Sequence, residues 1–177
     1  MQKKISSKML YKGCIFTLTQ DQVKIENDMI VTRDVIHHHG GVGVLVIKDH
    51  AILLVRQYRY PTQRSLLEIP AGKLEKDEDP YVCGLRELEE ETGYRCQELR
   101  SITSFYSTPG FCSEKIYLYE AVAPYKAEHP RSMDEDECIS IEWHALKDAY
   151  HMVMEGQIQD AKTMIAIQYA MLKTSNT

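Results

Sequence analysis

GKLEKDEDPYVCGLRELEEETGY, residues 72–94, sets Gly72 and Glu78 ahead of Arg86, Glu87, Glu90, Glu91 and Gly93. The acids at 87, 90 and 91 fall at i, i+3 and i+4, so in a helix their carboxylates share one face. Like charges held together repel, and a bound cation relieves the repulsion. A hard ion with oxygen ligands, Mg²⁺ before Mn²⁺, suits them. Acids alone also make an ordinary solvated helix face. A helix start is marked by the capping residue Asp79 followed by Pro80, and its end by Thr92 and Gly93. Val82, Leu85 and Leu88 form the apolar face expected against a sheet. Gly84 costs about 1 kcal/mol relative to alanine inside a helix; it marks either close packing or tolerated slack.

Working outward, VGVLVIK (42–48) and AILLVRQY (51–58) are continuous apolar runs, which predicts strands buried on both faces. Residues 16–25 and 29–36 read as a hairpin around the turn Glu26-Asn27-Asp28. We therefore divide the chain into an N-terminal β-hairpin extension, 1–38, and a main domain, 39–177. Beyond the acidic helix, 101–106, 115–121 and 137–143 read as strands, with Ile139, Ile141 and Trp143 on one half-buried face. Two helices follow, over about 145–155 and 160–173, the second opening at the capping residue Asp160. Strands mixed with helices predict an α/β sandwich.

A chain of 177 residues with 44% hydrophobic content suits one core domain. The net charge of −5 and the lack of any Lys/Arg-rich block argue against a nucleic-acid partner. No apolar run is long enough for a membrane span, and MQKKISSKML has no signal-peptide core, so a cytoplasmic protein is expected. Five cysteines without a C-x-x-C pair read as reduced, buried thiols. His37, His38 and His39 alternate faces if the segment is extended, so they are not expected to share a metal ion.

The spacing of the opening stretch carries a resemblance. Gly72, five residues, Glu78, seven residues, then Arg86-Glu87-Leu88-x-Glu90-Glu91-x-Gly93 and a bulky apolar residue is the Nudix box. The chain resembles the Nudix hydrolases. Tyr94 departs from the family's aliphatic residue but supplies the bulk. VRQYRYP, EIPAGKLE, YSTPGF, SEKI and DAKTMIAIQY extend the likeness to bacterial ADP-ribose pyrophosphatases over nearly the whole chain. The resemblance implies the Nudix fold, a mixed β-sheet sandwiched between α-helices, and hydrolysis of a nucleoside diphosphate derivative, ADP-ribose first, to AMP and ribose 5-phosphate. Other ADP-sugars, NADH and oxidised nucleotides are alternative substrates. A non-catalytic ADP-ribose-sensing domain is a further alternative, set against by the presence of every box acid.

For individual residues the resemblance implies Glu87, Glu90 and Glu91 with the Ala71 carbonyl as metal ligands. Arg86, grouped with the catalytic residues, holds loop and helix together with Glu78. Arg33, Arg59, Thr108, Pro109, Gly110 and Glu114 are the expected substrate contacts, Arg59 at the phosphates, where its planar fork suits the task. Phe16 is the candidate adenine-stacking residue. Glu137, with Glu135 as alternative, is the candidate base, standing just before CISIEW. A homodimer is implied, with the N-terminal hairpin reaching the second copy.

Overall fold

The computed structural model describes residues 2–131 and 138–175. It comprises two compact units, one of residues 1–40 and 105–116, the other of 41–104 and 117–177.

The first unit is an antiparallel sheet of β1 (Lys3–Lys12), β2 (Phe16–Lys24) and β3 (Ile30–His38), in that order. β2 and β3 are the expected hairpin, and Asp28 takes the left-handed turn conformation, φ 64°. β1 was not expected. Every residue of it is exposed, so its sequence carries no buried face from which to read a strand. What holds it is pairing to β2, from Lys3↔Lys24 to Lys12↔Thr17, and the Ser7 hydroxyl donating to the buried Asp21 carboxylate. That hydrogen bond holds the Asp21 carboxyl below the usual range.

The chain continues through β4 (Gly41–Leu45), β5 (Ile47–Lys48), β6 (Ala51–Arg59), β7 (Arg64–Glu68) and β8 (Ala71–Lys73) into α1 (Pro80–Thr92). There follow β9 (Tyr94–Arg95), β10 (Glu98–Tyr106), β11 (Lys115–Val122), β12 (Tyr125–Lys126), β13 (Ile139–Ala145), α2 (Leu146–Met154) and α3 (Ala161–Ser175). The strands form a β10–β11–β4–β8 sheet, a second sheet in which β6 pairs with β13, β5 and β7, and the small β12–β9 pair.

Alternation along the two apolar runs sorts side chains into two cores of the second unit. Val42, Val44, Val46, Leu53 and Val55 pack with Cys83 and Leu88 of α1. Leu45, Ile52 and Leu54 pack with Ala149 and Val153 of α2 and Ala166, Ile167 and Ala170 of α3. Helices therefore cover both faces, and each fully buried Leu or Ile contributes about 2 kcal/mol. Among the described residues no helix is long and apolar enough to cross a membrane.

α1 begins and ends as the sequence indicates: Asp79 accepts from the Tyr81 and Val82 amides, and Gly93 closes the helix at φ 68°. Its buried face differs. Val82 is 56% exposed, and the side turned inward carries Cys83, Gly84, Leu88, Glu91 and Thr92. Residues spaced by three drift around a 3.6-residue turn, so Val82 and Leu88 do not share a narrow face. Gly84 marks close packing: an added Cβ would lie 2.8 Å from Leu99 Cδ1 and 3.1 Å from Val42 Cγ1. Ile141 and Trp143 are also more exposed than expected, at 44% and 38%; Trp143 meets Tyr94 edge-on at 5.7 Å. Of the cysteines, Cys83 and Cys96 are buried but Cys14 and Cys138 are exposed, against the reading of all five as buried.

Gly84→Val is expected to lower unfolding stability by about 1–3 kcal/mol through overpacking. Urea denaturation checks this, and a change near zero would show that the helix has room to spare.

Candidate active site

The box residues of the second unit are drawn together around one guanidinium. Arg86 Nη1 donates to Glu87 Oε1 at 2.8 Å and to Glu90 Oε2 at 3.0 Å, while Nε and Nη2 each reach Glu78 at 3.2 Å. Glu78 also accepts the Glu75 amide at 2.9 Å, tying the loop before α1 to the helix. Burial acts to lower the Arg86 pKa, but its carboxylate partners outweigh that and raise it. Burial likewise pushes Glu78 up, and Arg86 with the Glu75 amide bring it below its ordinary value.

Gly72 leaves open the space that the Glu87 carboxyl occupies: a Cβ on it would lie 1.9 Å from the Glu87 carboxyl carbon and push that side-chain tip aside. Glu87 therefore rests directly on the loop backbone. One residue earlier, the Ala71 amide donates to Glu91 Oε2 at 2.8 Å, and Glu91 is buried. Glu87, Glu90, Glu91 and Ala71 are thus carried on α1 and the strand β8 beside it. Cys83 lies beside Arg86, but burial pushes its thiol up to about 12, too high for a thiolate nucleophile at neutral pH.

Arg59, on β6, is engaged with a residue the sequence reading passed over. Its Nε and Nη2 form a two-point pair with the buried Glu68 at 2.7 and 2.8 Å, and Lys162 of α3 donates to the same carboxylate. Burial alone would raise Glu68, yet the guanidinium and ammonium together bring it to about 2. A signal was present in the sequence: an acid inside the apolar run Leu66-Leu67-Glu68-Ile69 needs a partner. Glu89 is another such residue, buried and paired with Arg95 at 2.7 Å, with the Arg131 amide donating to it at 3.1 Å.

The other expected contacts belong to the first unit. Thr108, Pro109 and Gly110 form a tight loop in which the Thr108 carbonyl accepts the Phe111 and Cys112 amides. Hydrogen bonds from Ile36 N to Phe111 O at 2.8 Å and from Ser113 N to Ile36 O at 2.9 Å hold this loop to β3. Arg33, Tyr106, Pro109 and Phe111 line a shallow concavity with Lys4 and Asp34. Glu114 lies 3.6 Å from His38 Nδ1. Phe16 is at the surface, 36% exposed, with the Tyr11 ring 5.7 Å away. His37 bonds Thr19 while His38 accepts the Gly40 amide, so neighbouring histidines have separate partners. Glu135 and Glu137 lie outside the described residues.

A family model, NUDIX domain, matches residues 37–166. The chain belongs to the Nudix family. A methanol dehydrogenase activator of Bacillus methanolicus is 42% identical over 173 residues, 97% of this chain and 94% of that protein. An ADP-ribose pyrophosphatase of Bacillus subtilis (strain 168) is 40% identical over 173 residues, with the same coverage of 97% and 94%. The solved structure of an ADP compounds hydrolase shares the Nudix fold at a TM-score of 0.85 and 18% identity, covering 99% of this chain and 95% of that one.

Nudix hydrolases generally use a divalent metal ion. Among the described residues no three acidic, histidine or cysteine side chains close around one point. The donors nonetheless fit by chemistry: Glu87, Glu90 and Glu91 on one helix, beside the backbone of β8, are hard oxygen ligands.

Folded Glu68 stays charged to about pH 2, whereas its ordinary value is 4.5. Between those values the unfolded chain binds the extra proton, so this contribution to stability is present above 4.5 and lost as pH falls towards 2. Glu68→Gln should cost about 3 kcal/mol at neutral pH, and the gap to the parent should narrow as pH falls through that window. Denaturation across a pH series checks both.

Proposed function

We propose that this protein hydrolyses the diphosphate bond of ADP-ribose to AMP and ribose 5-phosphate, using Mg²⁺ or, in its place, Mn²⁺. The observation carrying hydrolysis is the seating of Glu87 on Gly72 beside Arg86, Glu90 and Glu91. The choice of ADP-ribose is supported by the 40% likeness to the Bacillus subtilis ADP-ribose pyrophosphatase over 97% of the chain.

In this reading Glu87, Glu90, Glu91 and the Ala71 carbonyl hold the ion, which when bound supplies positive charge to the phosphoryl oxygens. Arg86 bonds Glu87 and Glu90 and holds them together. Arg59 uses its Nε and Nη2 on Glu68, and its Nη1 side remains for a phosphate oxygen. Arg33, Thr108, Pro109, Gly110 and Glu114 contact the rest of the substrate, and the exposed Phe16 ring offers adenine a stacking surface. Glu137, or failing it Glu135, takes the proton from the attacking water; this assignment rests on sequence position.

Residues 1–38 serve dimerisation and 39–177 form the hydrolase domain. The exposed Ile5, Met9, Leu10 and Tyr11 support a homodimer in which a second copy covers the N-terminal sheet. Free cysteines support a reducing cytoplasmic setting. A second reading has a specific observation behind it: the 42% identical relative is a methanol dehydrogenase activator. Activation of a dehydrogenase by this chain is compatible with hydrolysis, and adding the protein to such an enzyme tests it directly.

A panel of nucleoside diphosphate derivatives, with released AMP measured, should place ADP-ribose among the best substrates; if it is not, the substrate assignment falls while diphosphate hydrolysis stands. Glu137→Gln should reduce turnover at least a hundredfold, the low end of general-base effects; a much smaller drop moves the role to Glu135. Gly72→Ala displaces only the tip of a flexible side chain, so its melting temperature should stay close to the parent's while turnover falls at least about tenfold, worth about 1.4 kcal/mol of barrier. Light scattering should show a dimer, and a catalytically competent monomer would rule that arrangement out.

A further inference from the structure

Five consecutive residues at the entry to the box, 68–72, are each in contact with another element of the second unit. Glu68 takes Arg59 and Lys162. The Ile69 amide donates to the Thr163 hydroxyl at 2.8 Å, the Pro70 carbonyl accepts the Val44 amide at 2.9 Å, the Ala71 amide donates to Glu91 at 2.8 Å, and Gly72 lies under Glu87. At the four residues other than Ile69 the contacts come from β4, β6, α1 and, at Glu68, also from Lys162 of α3. The contact at Ile69 differs in kind: a hydroxyl on α3, from a residue with no exposed surface, satisfies the amide of another fully buried residue.

Thr163 is itself fixed. Its hydroxyl donates to Asp160, whose carboxylate also accepts the Thr163 amide at 3.0 Å, so one side chain caps α3 and orients the threonine. With its proton given to Asp160, the hydroxyl oxygen presents a lone pair to Ile69. A valine has the same shape but neither function. Pro70 stands between Ile69 and Ala71 and restricts the backbone there, so a displacement of Ile69 passes to the Ala71 amide and to the Glu91 carboxylate bonded to it.

We propose that Thr163 is a positioning residue: through Ile69 and Pro70 it sets the Ala71 amide against Glu91, and thereby the geometry in which the box acids hold a divalent ion. Only the second half rests on the metal reading of the proposed function. The hydrogen bonds between Ile69 and Thr163 and between Ala71 and Glu91 mark a path through the backbone of residues 69–71.

The test compares the parent, Thr163→Val and Thr163→Ser as full chains. Amide hydrogen exchange is read at Ala71 against reference amides at Leu53 and Leu118, and Mn²⁺ affinity is measured by titration calorimetry without substrate. In T163V, Ala71 exchange should rise at least tenfold relative to the references and Mn²⁺ should bind at least fivefold more weakly; T163S should restore both to within about twofold. Exchange that rises equally at all three amides, or Mn²⁺ affinity unchanged in T163V, overturns the proposal. If the parent binds no Mn²⁺ while Ala71 exchange responds selectively, the positioning role stands and the metal reading above fails. Should T163V not fold, T163A carries the same comparison, with the same outcomes deciding.

Discussion

One guanidinium sets the terms for the rest of the site. Arg86 bonds Glu78, Glu87 and Glu90 at once, so carboxylates that would otherwise push apart are held within a turn of helix and the loop before it. Partly buried ionic groups are tolerable only when their partners are complete, and that requirement reaches outward. The helix must start at Asp79 for Glu78 to reach back to Arg86, and Gly72 must lack a side chain for Glu87 to lie on the loop. Gly84 then lets α1 approach Val42 and Leu99 closely enough to hold that geometry.

A second cluster does for the strand side what Arg86 does for the helix. Glu68 is buried inside an apolar run, where a lone charge would be costly, and two cations share it, Arg59 close by in sequence and Lys162 far from it. The Lys162–Glu68 and Thr163–Ile69 contacts each span 94 residues. Contacts of such separation carry a large loop-closure cost, and they tie the residues entering the box to the last helix. DAKTMIAIQY, far from the box in sequence, belongs to its support.

The box helix was legible because its signals are local. Asp79, Pro80 and Gly93 mark its ends by backbone chemistry that needs no tertiary partner, and the helix spans the residues they bracket. The apolar runs likewise predicted buried strands, and residues 42–46 and 52–55 are buried, but the first run is split between β4 and β5, and Lys48, Arg56 and Tyr58 at the ends of the two runs are exposed. β1 was not legible, since it buries nothing in the unit that contains it and is held by backbone pairing. Val82 was misread for a related reason: apolarity every third residue does not say which angle of the helix meets the sheet, and that angle is chosen by the space at Gly84.

By itself the sequence determined the family, the helix that carries the acids and their order along it, because capping, spacing and charge are properties of neighbouring residues. It also named Arg59 while leaving its partner unspecified. Tertiary structure decided that Arg59 meets Glu68, that Lys162 shares that carboxylate, and that Thr163 completes the Ile69 amide. A buried charge or amide states a need that any complementary group can meet, and only the folded chain selects the group that meets it.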